Sequence, residues 1–370
     1  MKNSLISLIM SAFIAGGSVC AESVSSGVFG AYQIECPADS DTYISIPVTR
    51  PAEFSGIVES VQNSASKIVA KGEPNWAVNK FVYSAGTQSN YYYVKFTSGA
   101  LEGAWFNVLS NNEYALELEI GEAELSKVFA GDSFEVIPHW SLSTLFPDGG
   151  GFTPNSTRNY GGGASQLYKY TSFENGKIIA PTSKNNSATS IYYYRTYNNA
   201  NSWMSGSTPK PDDIIEPNTF LFVRQPATES ATISINGGVP LCATTIELAN
   251  LDTEGDTDNY ISVPSAVDIK LSDLTASLVD SGIFAPRVGR AYSPVDTLFV
   301  YDNSMPGKNQ SATKVYYFRE YNGERHWYQG STICDSDVIK AGTAIVIRKL
   351  KTGEIEAFRG TYTPSYAEAK

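Results

Sequence analysis

The sequence predicts an all-β protein of three tandem β-rich units, of sandwich or small-barrel type, with only short single-turn helices. Three observations carry this expectation. Aromatic and β-branched runs of strand length recur, as in PNTFLFVRQ (217–225) and AGTAIVIRKL (341–350), each bounded by Gly, Pro or Asn. Tyr is abundant at 23 and Met scarce at 4, while Gly, Asn, Ser and Thr are frequent, a composition that suits strands and turns. The chain also repeats itself, because residues 185–240 lie over 309–364 without a gap.

The first element is an export signal. Lys2 precedes the short apolar core LISLIMSAFIA (5–15), and Val19-Cys20-Ala21 offers a cleavage site after Ala21. A lipid anchor on Cys20 is the rival reading. No later run approaches the roughly 18 apolar residues of a membrane helix, so the exported chain is expected to be soluble or peripherally attached. Three β-rich units follow, at 22–136, 137–240 and 241–370. The first is opened by DSDTYISIP (39–47) and the third by its near copy DTDNYISVP (256–264), with EVIPHWSLSTLF opening the second. Within the repeat, Tyr192, Tyr193, Arg195, Tyr197 and Trp203 fall on Tyr316, Tyr317, Arg319, Tyr321 and Trp327. A weaker upstream copy is read in Tyr91–Phe96 and Trp105. AELSKVF (123–129) and the stretches after Asp212 and Asp335 read as single helical turns with Asp caps at the latter two. IRKLKTGEIEAF reads as a hairpin turning at Thr352-Gly353. The Gly-rich segment 148–165 reads as a long mobile loop without the GK[ST] of a phosphate site.

The stretches YISIPVTRPAEFSGIV, YYYVKFTSGALEGAWFNV and GDSFEVIPHWSLSTLFPDG resemble a family of exported, highly paralogous proteins of verrucomicrobial bacteria. The resemblance spans most of the chain after the signal, and FTSG-x-x-x-G-x-W and IPHW-x-L-x-TLFP are its most specific parts. It implies export, to periplasm, cell surface or medium, and a β-rich architecture. It brings no catalytic residues with it.

Charge and motifs narrow the function classes. A formal charge of −11, from 27 basic and 38 acidic residues, argues against nucleic acid and anionic membrane surfaces, which both call for a positive face. Cys36, Cys242 and Cys334 allow one disulfide in three pairings, and no Cys/His cluster suggests zinc. Gly131-Asp132-Ser133-Phe134 has the look of an esterase nucleophile block. The two histidines, His139 and His326, lack an Asp three residues before them, so the rest of that set is missing. Asp252, Glu254, Asp256 and Asp258 alternate hard oxygens around a Gly, a calcium-like spacing that also suits a solvated turn before a strand. Trp105, Trp203, Trp327, Tyr197 and Tyr321, with Asn198 and Asn322, have the chemistry to stack on and hydrogen-bond sugars, and recurring core residues would show the same pattern. The expected function is a non-enzymatic envelope or extracellular protein with a structural or adhesive role and no cofactor, or calcium at most. Its partners would be glycans or other envelope proteins. A glycan-binding module and a carbohydrate-active hydrolase are the alternatives.

Overall fold

The computed structural model describes residues 28–156, 163–174, 177–289 and 295–367. The segment read as an export signal, with Cys20, and the middle of the Gly-rich segment lie outside the described residues. β1 (Phe29–Cys36) and β2 (Asp41–Ser45) come first. Next are β3 (Phe54–Gln62), β4 (Lys67–Ala70), β5 (Tyr92–Phe96), β6 (Trp105–Asn111), β7 (Ala115–Leu118), the one-turn helix α1 (Glu122–Leu125) and β8 (Ser133–Pro138). The chain continues through β9 (Trp140–Ser141), helix α2 (Leu142–Leu145), β10 (Gln166–Lys169), β11 (Ser172–Glu174), β12 (Lys177–Ala180), β13 (Ser190–Tyr197), β14 (Ala200–Ser205), β15 (Thr208–Pro209), β16 (Ile214–Ile215), β17 (Phe220–Arg224) and β18 (Ala231–Gly238). The last stretch holds β19 (Thr244–Asn250), β20 (Thr257–Ser262), β21 (Ile269–Lys270), β22 (Arg287–Val288), β23 (Thr297–Val300), β24 (Lys314–Tyr321), β25 (Glu324–Gln329), β26 (Thr332–Ile333), β27 (Val338–Ile339), β28 (Ala344–Lys349) and β29 (Glu356–Tyr362). The all-β expectation holds.

The strand pairing shows two copies of one topology and a third, different body. One sheet runs β15-β14-β13-β10-β17-β2, flanked by the pairs β1-β18 and β16-β9. The other runs β26-β25-β24-β23-β28-β20, flanked by β19-β29 and β21-β27. Along these paths the two match strand for strand, and the second sheet adds β22, parallel to β24. Between β2 and β9 the chain departs to close a six-stranded barrel in the order β3-β4-β7-β6-β5-β8. The first unit is therefore discontinuous, with residues 28–48 pairing with 139–240 rather than with 54–138. The boundary expected at 136 gives way to this insertion. Tyr91–Phe96 and Trp105 belong to the barrel and do not take the places of β13 and β14, so the upstream segment is not a third copy of this topology.

Each body has its own core, set by strand alternation. In the barrel, Tyr92, Val94 and Phe96 of β5 point inward with Phe106, Leu116, Phe134 and Val136, and Leu125 and Val128 close one end. Tyr192 and Tyr194 of β13 join Phe146, Phe152 and Trp203 in the first unit. Tyr316 and Phe318 of β24 join Phe284 and Trp327 in the second. Phe152, inside the Gly-rich segment, is thus a core residue, and Asn155 N–H donates to Tyr194 O at 3.0 Å. Two other expectations are corrected. β28 and β29 are consecutive but do not form a hairpin, because β29 pairs with β19. After Asp212 and Asp335 the chain makes turns that lead into β16 and β27 rather than helical turns.

The two units join face to face through the nine-residue repeat. Asp41 takes a bidentate ion pair from Arg224, with Nε–Oδ1 2.7 Å and Nη2–Oδ2 2.8 Å. Asp258 takes the equivalent pair from Arg348, at 2.6 and 2.9 Å. Each pair is then closed by the other unit's loop. Asn309 N–H donates to Asp41 Oδ2 at 2.6 Å, and Asn185 N–H donates to Asp258 Oδ2 at 3.2 Å. Lys308 pairs with Asp39 at 2.7 Å, and Lys184 with Asp256 at 2.8 Å. Tyr43 stacks on Tyr301 with centroids 3.9 Å apart, and Tyr260 stacks on Tyr170 at 4.4 Å. Ser45 and Ser262, equivalent residues, meet at 2.6 Å. These contacts come in matching pairs, the pattern of an isologous dimer made within one chain, and a few others, such as the Asn303 amide on the Tyr43 backbone, occur on one side alone.

The barrel docks against both units. Glu102 Oε1 accepts from Ala243 N–H at 3.3 Å, and Arg359 bridges Glu124 of the barrel (3.0 Å) and Glu247 (2.6 Å). Gly103, at φ +85°, lies so close that a Cβ there would stand 2.9 Å from Ala243 O. Gly72 has a similar φ of +87° but faces open space. Gly103→Ala is expected to cost about 3 kcal/mol and Gly72→Ala about 1 kcal/mol, since only the former adds a clash to backbone strain. Urea unfolding midpoints of the two variants check this, and equal losses would contradict the docking.

Candidate functional site

Two places in the fold gather chemistry, and neither is where the repeated tryptophans suggested. Trp203 is 2% exposed among Phe146, Phe152 and Tyr194, and Trp327 is fully enclosed with its Nε1–H donating to Thr275 Oγ1 at 3.1 Å. Neither ring has a face left for a sugar. Trp105 is 4% exposed, edge-on to Tyr93 and Phe173, and its remaining surface lines a small recess described below. Burial removes all three from an open stacking row.

The flanking polar residues have structural explanations too. Asn198 and Asn322 occupy the two-residue turns β13–β14 and β24–β25 at φ of 50° and 54°. Positive φ is what such tight hairpin turns require, and Asn tolerates it better than most residues. Tyr321 is half-buried with the Arg319 guanidinium 4.6 Å over its ring. The Tyr197 side chain lies outside the described residues. Of the acidic run, Asp258 and Asp256 are committed to Arg348 and Lys184, and Asp252 accepts from Glu254 N–H at 2.9 Å in a local turn. Among the described residues no three His, Cys, Asp or Glu side chains converge as a metal would require. Cys36 and Cys334 are buried in different cores, and all three thiols are free. Asp132 caps Phe129 N–H at 2.8 Å, and Ser133 N–H donates to Ser98 Oγ, so the esterase-like block is the turn before β8.

The first gathering is the outer face of the second unit's sheet. With Tyr316 and Phe318 turned inward, alternation turns Tyr317, Arg319 and Tyr321 outward. Tyr317 and its cross-strand partner Tyr328 lie nearly parallel, at 16° and 5.7 Å. The Arg287 guanidinium sits 4.2 Å from the Tyr317 ring, and Tyr317 OH donates to Gly330 O at 2.6 Å. Beside them His326 Nδ1 meets Asp335 Oδ2 at 2.6 Å. The result is a fixed, half-exposed aromatic shelf edged by cations.

The second gathering is the seam where the barrel meets the units. A cleft of about 550 Å³ is lined by Arg50, Lys95, Glu102, Ser133, Glu135 and Cys242, among others. An apolar recess of about 40 Å³ adjoins it, walled by Tyr93, Trp105, Trp140 and Pro217, and shares Thr49, Lys95 and Pro240 with the cleft. Arg50 is held by Asn90 Oδ1 at 2.7 Å and His139 O at 3.2 Å, and burial lowers its pKa. Lys95 is 6% exposed and has no ion pair among the described residues. Neither Lys95 nor Glu135 was singled out from the sequence. The pattern YYYVKF does place Lys95 on the face opposite Val94, but nothing local says what that face meets.

His139 sits behind this seam, 2% exposed, between the rings of Tyr93 and Trp105. Asn107 donates its amide to Glu119 Oε2 at 2.7 Å, so its oxygen faces His139 Nε2, also at 2.7 Å. The neutral ring therefore donates from Nε2. Burial, aided by nearby Lys169, drives the His139 pKa from 6.5 down to about 3. Comparison with protein-family models, curated proteins and solved structures finds no match for this chain.

The sign of the pH effect follows. Above pH 6.5 the ring is neutral folded or unfolded and contributes no pH dependence. As pH falls from 6.5 towards 3, only the unfolded state takes up the proton, so stability drops. His139→Gln should flatten this acid limb by up to about 1.4 kcal/mol per pH unit. Urea unfolding at a series of pH values checks it, and parallel curves for variant and wild type would contradict it.

Proposed function

We propose that this is an exported, non-enzymatic protein of the envelope or extracellular space, with a structural or adhesive role. The observation that carries the reading is the fate of the repeated polar residues. Asp41, Asp258, Arg224, Arg348, Asn185 and Asn309 are the polar residues that the join uses: the side chains of Asp41, Asp258, Arg224, Arg348 and Asn309, and the backbone N–H groups of Asn185 and Asn309, tie the two units together. A cross-braced body that uses its charges internally suits a mechanical or scaffolding task. The resemblance of its motifs to exported verrucomicrobial proteins agrees with export.

Glycan binding is the second reading, and the Tyr317–Tyr328 shelf favours it. Parallel aromatic faces on a rigid sheet, with Arg287 and Arg319 at the edge, match the apolar faces and hydroxyls of a sugar ring better than the buried tryptophans do. A hydrolase would call for two facing carboxylates in one cleft. Glu102 and Glu135 share a cleft, but Glu102 is tied to Ala243 N–H.

The test is retention of the chain from Glu22 onward on sedimented envelope polysaccharide. The wild type should co-sediment, and Tyr317→Ala with Tyr328→Ala should weaken retention about tenfold while the melting temperature stays within a few degrees. No retention of the wild type on any envelope fraction would sink the adhesive reading. Retention indifferent to both tyrosines would leave adhesion and remove the shelf.

A further inference from the structure

We propose that the cleft between the barrel and the two units binds a small zwitterion of the α-amino-acid type, with Lys95 taking its carboxylate and Glu135 its ammonium. The argument starts from two adjacent strands. On β5, Val94 and Phe96 fill the barrel, so Tyr93 and Lys95 face out. On β8, Phe134 and Val136 fill it, so Ser133, Glu135 and Ile137 face out. Lys95 and Glu135 are direct cross-strand partners in the β5–β8 ladder.

Opposite charges in that relation lie close enough to join, their Cβ atoms about 5 Å apart, and joining is the ordinary outcome. Here the two side chains do not join each other, and neither side chain has an ion pair or hydrogen bond with another described residue. Lys95 is nevertheless 6% exposed and Glu135 half-buried. The Lys95 stem is buried while its ammonium opens on the cleft, and no anion of the chain meets it there, so an anion entering the cleft finds it unpaired. Both side chains line one cleft of about 550 Å³, well inside the roughly 300–1,000 Å³ range of small-molecule sites.

Charge balance selects the ligand class. The cleft carries Lys95 and Arg50 against Glu102 and Glu135. A simple anion or cation would meet one matching and one opposing pair, whereas a zwitterion meets both with the right sign. The adjoining apolar recess, which shares Lys95 and Pro240 with the cleft, is where a side chain would go. At about 40 Å³ it suits a small apolar group, of the size of alanine or valine. Ser133, Thr97 and Ser55 on the barrel rim offer hydroxyls to the carboxylate.

Isothermal titration calorimetry of the full chain from Glu22 onward tests this with L-alanine, L-valine and L-glutamate. Valinamide lacks the carboxylate and N-acetylvaline lacks the ammonium, so each should bind at least about tenfold more weakly than valine. Lys95→Met and Glu135→Gln should each weaken valine at least about tenfold, with a melting temperature no lower than the wild type, since neither removes a native ion pair. Absence of heat with all three amino acids would overturn the proposal. Equal binding of valine and N-acetylvaline would overturn it in favour of a plain anion site. Those two arms use the wild-type chain and do not depend on how the variants fold.

Discussion

The fold depends on a pair of reciprocal clasps. Asp41 is nearly sealed from solvent, and Arg224 reaches it bidentately, the geometry in which a guanidinium–carboxylate pair is strongest. Such a pair, closed only within its own unit, would not explain why the two units sit together. The closing bond comes from Asn309 of the second unit, and Asn185 of the first returns it to Asp258. Each half thus completes the other's buried carboxylate. Removing one acid leaves an arginine partly buried without its anion, which costs about 3 kcal/mol or more. Between the clasps the two tyrosine stacks and Phe220, Phe222, Ala344 and Val346 supply apolar area, so charge sets the register and burial supplies the bulk of the stabilisation.

That constraint explains how a whole barrel fits inside one unit. The connection between β2 and β9 leaves after the Ser45 end of β2, with the clasp residue Asp41 at the strand's other end. The second unit makes the same connection, from β20 to β21, in a few residues. Once inserted, the barrel is not a loose appendage. Gly103, Glu102 and Glu124 hold it to the second unit, while Arg50 and Trp105 hold it to the first. The seam is therefore stiff enough to leave a defined cleft, and the polar faces of β5 and β8 form one of its walls.

Much of this was legible in the sequence and some of it was not, for reasons that can be named. The strands at 217–225 and 341–350 announce themselves by composition, and the ungapped repeat of 185–240 on 309–364 maps the matching strands of the two units. DSDTYISIP and DTDNYISVP were legible as equivalent turns into equivalent strands. Their aspartates looked like local caps because the arginines that claim them lie 183 and 90 residues away. Tyr91–Phe96 looked like a third copy because strand alternation is a local signal, whereas the choice of partner strand is not. Trp203 and Trp327 recur because a core position recurs. Asn198 and Asn322 recur because a tight turn recurs. The Lys95–Glu135 wall was invisible because its meaning lies in a bond that does not form.

Native-state hydrogen exchange on Asp41→Ala tests the central claim most directly. If each unit completes the other's clasp, this one substitution in the first unit must lower amide protection in both, in β20 and β28 of the second as well as in β2 and β17 of the first. Loss of protection confined to β2 and β17, with β20 and β28 unchanged, would show that the two units are independent and that the clasps do not couple them.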